Sequence, residues 1–157
     1  MPTTPDDLPD ALREPLAVNV ELLLHSRIPA RLAWSAADGT PRVVPIWFRW
    51  TGEALVMCTF AGARKLADLG DGTIVAVTID TDTFPYRSLK LRGPVTIRPE
   101  HGIGADYEAA AIRYLGAPTA ARWLQFLDGA DQVSISLRPT WAAVGDMADS
   151  PFLGASV

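Results

Sequence analysis

DGTPRVVPIWFRWTGEALVMCTFAGARK, residues 38–65, is the stretch on which the fold turns. Asp38-Gly39 is a strong hairpin signal, and Thr51-Gly52-Glu53 marks a second turn between apolar runs. The spacing predicts strands at Ile28–Ala36, Arg42–Trp50 and Ala54–Phe60, joined as an antiparallel meander rather than through βαβ crossovers. The middle run is apolar on both faces. Val43, Pro45 and Trp47 lie on one side, and Val44, Ile46, Phe48 and Trp50 on the other. A strand with one wet face alternates, so this one is expected to be covered twice, by a barrel interior and by a ligand or partner subunit. Pro45 has no N–H to give to a ladder, which places it at a bulge or a sheet edge.

The same stretch ends in Ala61-Gly62-Ala63 and opens a short helical pattern over Ala63–Leu69, with Arg64 and Lys65 at its start. Unpaired N–H groups and the positive dipole end make a helix start an anion site, and guanidinium grips phosphate with two parallel bonds. Cations there oppose the helix dipole. The residues alone allow two readings: solvated surface charges, as most charges are, or a grip on a bound anion.

Outward from this stretch, the periodicity predicts a helix over Leu16–Arg27, strands at Thr73–Asp80 and Arg87–Arg98, and helices over Ala105–Leu115 and Thr119–Leu127. Gly116 and Pro118 stop the first of that helix pair. Val133, Ile135 and Leu137 alternate with Gln132, Ser134 and Ser136 in a sixth strand, and Pro139–Asp146 adds a seventh. Gly93 interrupts the apolar row Leu89, Leu91, Val95 and Ile97, a sign of a bulge or of close backbone approach. The whole reads as a strand-rich barrel with a few helices.

Composition narrows the function. A chain of 157 residues, 48% hydrophobic and 20% charged, fits one domain with a real core. A net charge of -4 and a pI of about 5.0 speak against a nucleic-acid groove or a polybasic membrane surface. No apolar run approaches the roughly 20 residues of a membrane span. The opening MPTTPDDLPDALREP is acidic and proline-rich, unlike a signal peptide, and the single Cys58 suits a reducing compartment. A soluble cytoplasmic protein is expected.

Side-chain chemistry is sparse. His25 and His101 lack a second His or Cys at ligand spacing, which speaks against a metal site. There is neither a G-x-S-x-G elbow nor a phosphate loop, and Gly102-Ile103-Gly104 lacks the third glycine of a dinucleotide fingerprint. Cys58 lies beside Met57 in an apolar strand, where burial raises a thiol pKa. Asp71, Asp80 and Asp82 fall in turns. Any hard chemistry is therefore expected from a bound cofactor.

The order of DGTPRVVPIWFRWTGEALVMCT, GARKLADL, VAVTIDTDTFPYRSLKLRGPVTI and YEAAAIRYLG resembles the pyridoxamine 5'-phosphate oxidase-like split barrels that bind FMN or the deazaflavin coenzyme F-420. The resemblance spans about residues 16–138. It implies a mainly β (α+β), six- to seven-stranded antiparallel split barrel with peripheral helices over residues 15–146, between a flexible arm (1–14) and a tail (147–157). It also implies a homodimer whose interface holds the cofactor, FMN or alternatively F-420. By position, Arg42, Thr59, Arg64 and Lys65 would hold the cofactor phosphate. The backbone of Val43, Val44, Pro45, Ile46 and Trp47 would run along the isoalloxazine ring, and Ser88 occupies a ring-contacting position where Gln is common. The implied activity is hydride transfer to or from a small organic substrate, with a cofactor carrier or sensor as the alternative. Trp141 is followed by Ala-Ala-Val-Gly-Asp-Met rather than the basic signature of true pyridoxamine phosphate oxidases, so the vitamin substrate is not implied.

Overall fold

Turns punctuate the chain and the strands fill the space between them. The computed structural model describes residues 8–12 and 18–150. Its strands are β1 (Ala30–Ser35), β2 (Pro41–Ile46), β3 (Phe48–Trp50), β4 (Leu55–Phe60), β5 (Ile74–Asp80), β6 (Arg87–Glu100), β7 (Gln132–Leu137) and β8 (Trp141–Asp146). The helices are α1 (Val18–Leu24), α2 (Ala105–Leu115) and α3 (Ala117–Phe126). All strand pairs are antiparallel, in the order β2-β1-β5-β6-β7-β4-β3, with β8 also on β6. This is the curled, mainly β sheet of a split barrel. Among the described residues, no helix is long and apolar enough to cross a membrane.

The predicted second strand, Arg42–Trp50, is in fact two. β2 ladders to β1 and β3 ladders to β4, with Trp47 alone between them. Those two strands stand at opposite ends of the strand order, so this single residue joins the edges of the curled sheet. One unbroken strand cannot keep both partners while the sheet curves, and the break is where the ladder changes hands. Pro45 sits in an end strand, where a missing N–H costs little.

β6 is the long counterpart. Its Arg87–Arg92 half pairs with β8, whereas Val95–Glu100 pairs with β7. Gly93 marks the change. The N–H of Thr140 donates to the Arg92 carbonyl at 2.9 Å, drawing the β7–β8 connection against Gly93. A Cβ at Gly93 would stand 2.2 Å from the Arg138 carbonyl oxygen, which is the close backbone approach read from the sequence.

The barrel interior holds Leu32, Phe48, Met57, Val77, Ile79, Leu89, Leu91, Ile135 and Leu137, all buried. Each such side chain contributes roughly 1.5–3 kcal/mol on burial. A second, smaller cluster lies outside the sheet, where α2 and α3 bring Tyr107, Ala111, Ala120 and Leu127 over Trp47 and Cys58. Gly116, at φ +77°, makes the sharp turn between those helices. α3 begins two residues earlier than the predicted Thr119, because Pro118 fits its first turn, where no N–H is needed.

Other boundaries shift as well, most strand ends by one or two residues. The predicted helix over Ala63–Leu69 is a four-residue 3-10 turn, Arg64–Ala67. α1 covers Val18–Leu24, and residues 16 and 17 lie outside the described chain. Within the expected arm, Asp10–Leu12 forms a 3-10 turn that buries Leu12. Of the expected tail, residues 151–157 lie outside the described residues.

Gly93→Ala is expected to destabilise the fold by about 2–3 kcal/mol, because backbone rather than a flexible side chain must yield. The drop in urea midpoint at constant slope measures it.

Candidate functional site

β4 carries Thr59 to the end of the barrel, and the 3-10 turn that follows folds Lys65 back over it. The Lys65 Nζ donates to Thr59 Oγ1 at 2.9 Å. Thr59 is buried and Lys65 half-buried. Burial holds the Lys65 ammonium below the ordinary lysine range.

Lys65 stands between two cavities and lines both. The larger, about 530 Å³, lies where Pro45, Ile46 and Trp47 approach Cys58, Thr59 and Phe60 under the α2–α3 pair. The smaller, about 290 Å³, is walled by Trp34, Arg42, Val44, Arg64 and Asp68. Asp68 is occupied there: Trp34 Nε1 donates to its Oδ2 at 3.1 Å. Arg42 reaches Asp38 at 3.8 Å, an exposed and weak pairing. Among the described residues, neither Arg64 nor Lys65 has a carboxylate partner.

The residues predicted from sequence therefore divide. Pro45, Ile46, Trp47, Thr59 and Lys65 line the larger cavity, and Arg42, Val44 and Arg64 the smaller. Val43 lines neither and is 65% exposed on the outer face of β2. Ser88 also lines neither. It lies in β6 opposite Asp80 and Gly145, with its hydroxyl against the Gly145 backbone.

Remote segments supply wall residues that sequence reasoning missed. Tyr107, Trp123 and Gln132 come from α2, α3 and β7. Trp47 stacks on Tyr114 with ring centroids 5.0 Å apart and planes 8° apart. Trp123 Nε1 donates to the Tyr107 hydroxyl at 2.9 Å, so the aromatic wall is held by both packing and a hydrogen bond. Trp123 carries a signal, as a large apolar ring on a short helix, but such rings belong more often to a core or an interface. Gln132 offered none: its alternation with Val133 matched a wet face, yet it is 1% exposed because the helix pair covers that side.

Reactive groups are few. Burial pushes the Cys58 thiol up to about 12, with Glu100 and Asp106 adding to the shift, so the thiol stays protonated and unreactive near neutrality. Burial also raises the Tyr107 phenol. His25 sits beside Glu21 at 3.2 Å, and His101 is fully exposed near Asp131, both outside these two cavities. Among the described residues, no cluster could hold a metal ion. The site can take an anion at its cationic end and a flat ring against its aromatic wall.

Neither a family model nor a curated protein matches the chain. Solved structures do. The chain is 34% identical to an F420 reductase, over 78% of this chain and 94% of that one, with a TM-score of 0.63. A Clostridium acetobutylicum protein of the pyridoxinephosphate oxidase family is similar at 15% identity, over 81% of this chain and 84% of that one, with a TM-score of 0.53. The heme-storage protein of Vibrio cholerae is similar at 14% identity, over 80% and 91%, with a TM-score of 0.56. The latter two likenesses show the fold alone.

A lysine depressed by burial disfavours folding in its charged form. That cost is full below the folded pKa and vanishes above the unfolded value of about 10.4. Relative to Lys65→Met, wild-type stability should therefore rise as pH climbs through that alkaline window. Paired urea titrations from pH 7 upward measure the difference; a gap that stays constant would contradict it.

Proposed function

Because the chain belongs to the pyridoxamine 5'-phosphate oxidase-like split-barrel family, we propose that it is an oxidoreductase using a flavin-type cofactor, F-420 in first place and FMN in second. The observation that carries this reading is the pair Arg64 and Lys65, cations without carboxylate partners among the described residues, Lys65 lining both cavities and Arg64 the smaller. The 34% identity to an F420 reductase is our reason for naming F-420 ahead of FMN, the reverse of the order read from sequence.

The residues present fit such a group. A cavity of about 530 Å³ with an aromatic wall suits a tricyclic ring, and the smaller cavity adds Arg42 and Arg64 for an anionic chain. When bound, the cofactor supplies hydride transfer. The protein's part is to hold and to exclude. Lys65 and Arg64 grip the phosphate, and Thr59 fixes the Lys65 rotamer through its hydroxyl. Trp47, Tyr107 and Trp123 keep water from the ring.

The wall of the larger cavity offers neither a histidine nor a carboxylate. That suits hydride transfer, which asks for no protein acid or base, and suits equally a carrier or sensor that only holds the cofactor. Stopped-flow reoxidation of the reduced protein, with and without small-molecule acceptors, separates the two. Haem is disfavoured on the same ground, because neither described histidine lines the cavity.

We place the cofactor at a homodimer interface. The register aligns Val43 with Ala33 and Ala33 with Ala76, and Ile74 follows on the same face of β5. Val43 and Ile74 are 65% and 63% exposed, an apolar row that a second copy would cover.

Two predictions test the reading. The double variant Arg64→Ala/Lys65→Ala should bind F-420 about 100-fold more weakly, as expected for losing two charge-assisted contacts. Calorimetric titration reads this, and undiminished affinity would refute the phosphate grip. Light scattering should give a dimer for the wild type and a monomer of lowered cofactor affinity for Val43→Asp. A monomeric wild type would remove the interfacial site.

A further inference from the structure

α3 turns one face inward and leaves a second stripe outside. Ala120 is buried, and Leu124 packs against the same small cluster. Thr119, Arg122, Trp123 and Phe126 follow at i, i+3, i+4 and i+7, the spacing of one helix face. These four residues line a groove of about 370 Å³. Trp123 also lines the larger cavity, so one indole borders both.

The stripe is aromatic where an outward helix face is ordinarily polar. Phe126 is 78% exposed and stacks on Trp123, with ring centroids 5.8 Å apart and planes 26° apart. The two rings together hold a flat apolar surface toward the solvent. Arg122 is the one charged residue of α3 and is exposed. Among the described residues its guanidinium has neither a carboxylate nor a hydrogen-bond partner.

The chemistry of the stripe defines its occupant. A guanidinium fork takes a carboxylate through two parallel bonds, and the adjoining rings take the flat face of another ring. A lone Arg matches one negative charge, which suits a carboxylate rather than a polyanion. An uncharged apolar partner would cover Arg122 without a counter-charge. A second copy seated on the same stripe would bring another Arg122.

We propose that the α3 groove is a binding subsite for planar aromatic carboxylates, with the acid on Arg122 and the ring on the Trp123–Phe126 pair. An acid seated there lies next to the larger cavity, because Trp123 borders both. The inference stands on α3 alone and does not depend on which group that cavity holds.

The test uses 2-naphthoate and its uncharged counterpart 2-naphthamide. Calorimetric titration of the full chain should show 2-naphthoate binding about tenfold more tightly than 2-naphthamide. In Arg122→Gln the acid should weaken about tenfold and the discrimination should disappear, whereas Phe126→Ala should weaken both probes. Both side chains are exposed, so both variants should melt with the wild type. Equal binding of the two probes by wild type, no binding of 2-naphthoate, or full affinity in both variants would overturn the proposal.

Two further arms separate this groove from other sites. Arg64→Ala/Lys65→Ala, and wild type loaded with F-420, should both keep full affinity for 2-naphthoate. Loss in either would place the probe in the cavities and overturn the proposal, whereas failure of the phosphate grip alone leaves the naphthoate result standing. Light scattering should give Phe126→Ala the wild-type oligomeric state; a change would assign the stripe to a second copy instead.

Discussion

The transfer of the chain from the β1 ladder to the β4 ladder across a single residue, Trp47, is the constraint on which the rest depends. It joins the two ends of the strand order and thereby closes the curled sheet. It also turns the Trp47 ring outward onto Tyr114 and Tyr107, so barrel closure and helix packing share one side chain. The larger cavity forms at that junction, because Pro45, Ile46 and Trp47 leave the β1 ladder where β4 delivers Thr59. A flat, unbroken strand would have neither closed the sheet nor opened the space.

Burial of polar groups is the second constraint, and it falls where a ligand would sit. Lys65 is half-buried with its pKa lowered, and Gln132 is buried without a partner. Both lie in one cavity wall. Each disfavours the fold, and an anion beside Lys65 would relieve the first. Elsewhere exposed charges stand in pairs of modest worth, such as Arg98 with Asp71, while Arg113 is half-buried over the Phe48 and Tyr114 rings.

Much of the fold was legible because its signals are local. Asp38-Gly39 and Thr51-Gly52-Glu53 mark turns wherever they occur, and α2 runs over the residues its periodicity predicted. Gly93 was legible as a close approach, but not its partner, the Arg138 carbonyl, which lies in another segment. The break at Trp47 was not legible, since an apolar run carries no mark of where it changes ladder partners.

The candidate site divides along the same line. Arg42, Thr59, Arg64 and Lys65 fall within one short stretch, so their types and spacing were enough to suggest an anion grip. The opposite wall was decided by tertiary structure alone. Tyr107, Trp123 and Gln132 meet there only because α2 and α3 fold over the outer face of β4 and β7. That covering turned an alternating, seemingly wet strand into one buried on both faces. Periodicity reports one residue's relation to its chain neighbours, whereas burial reports what lies above it, and for Gln132 only the second sets the chemistry.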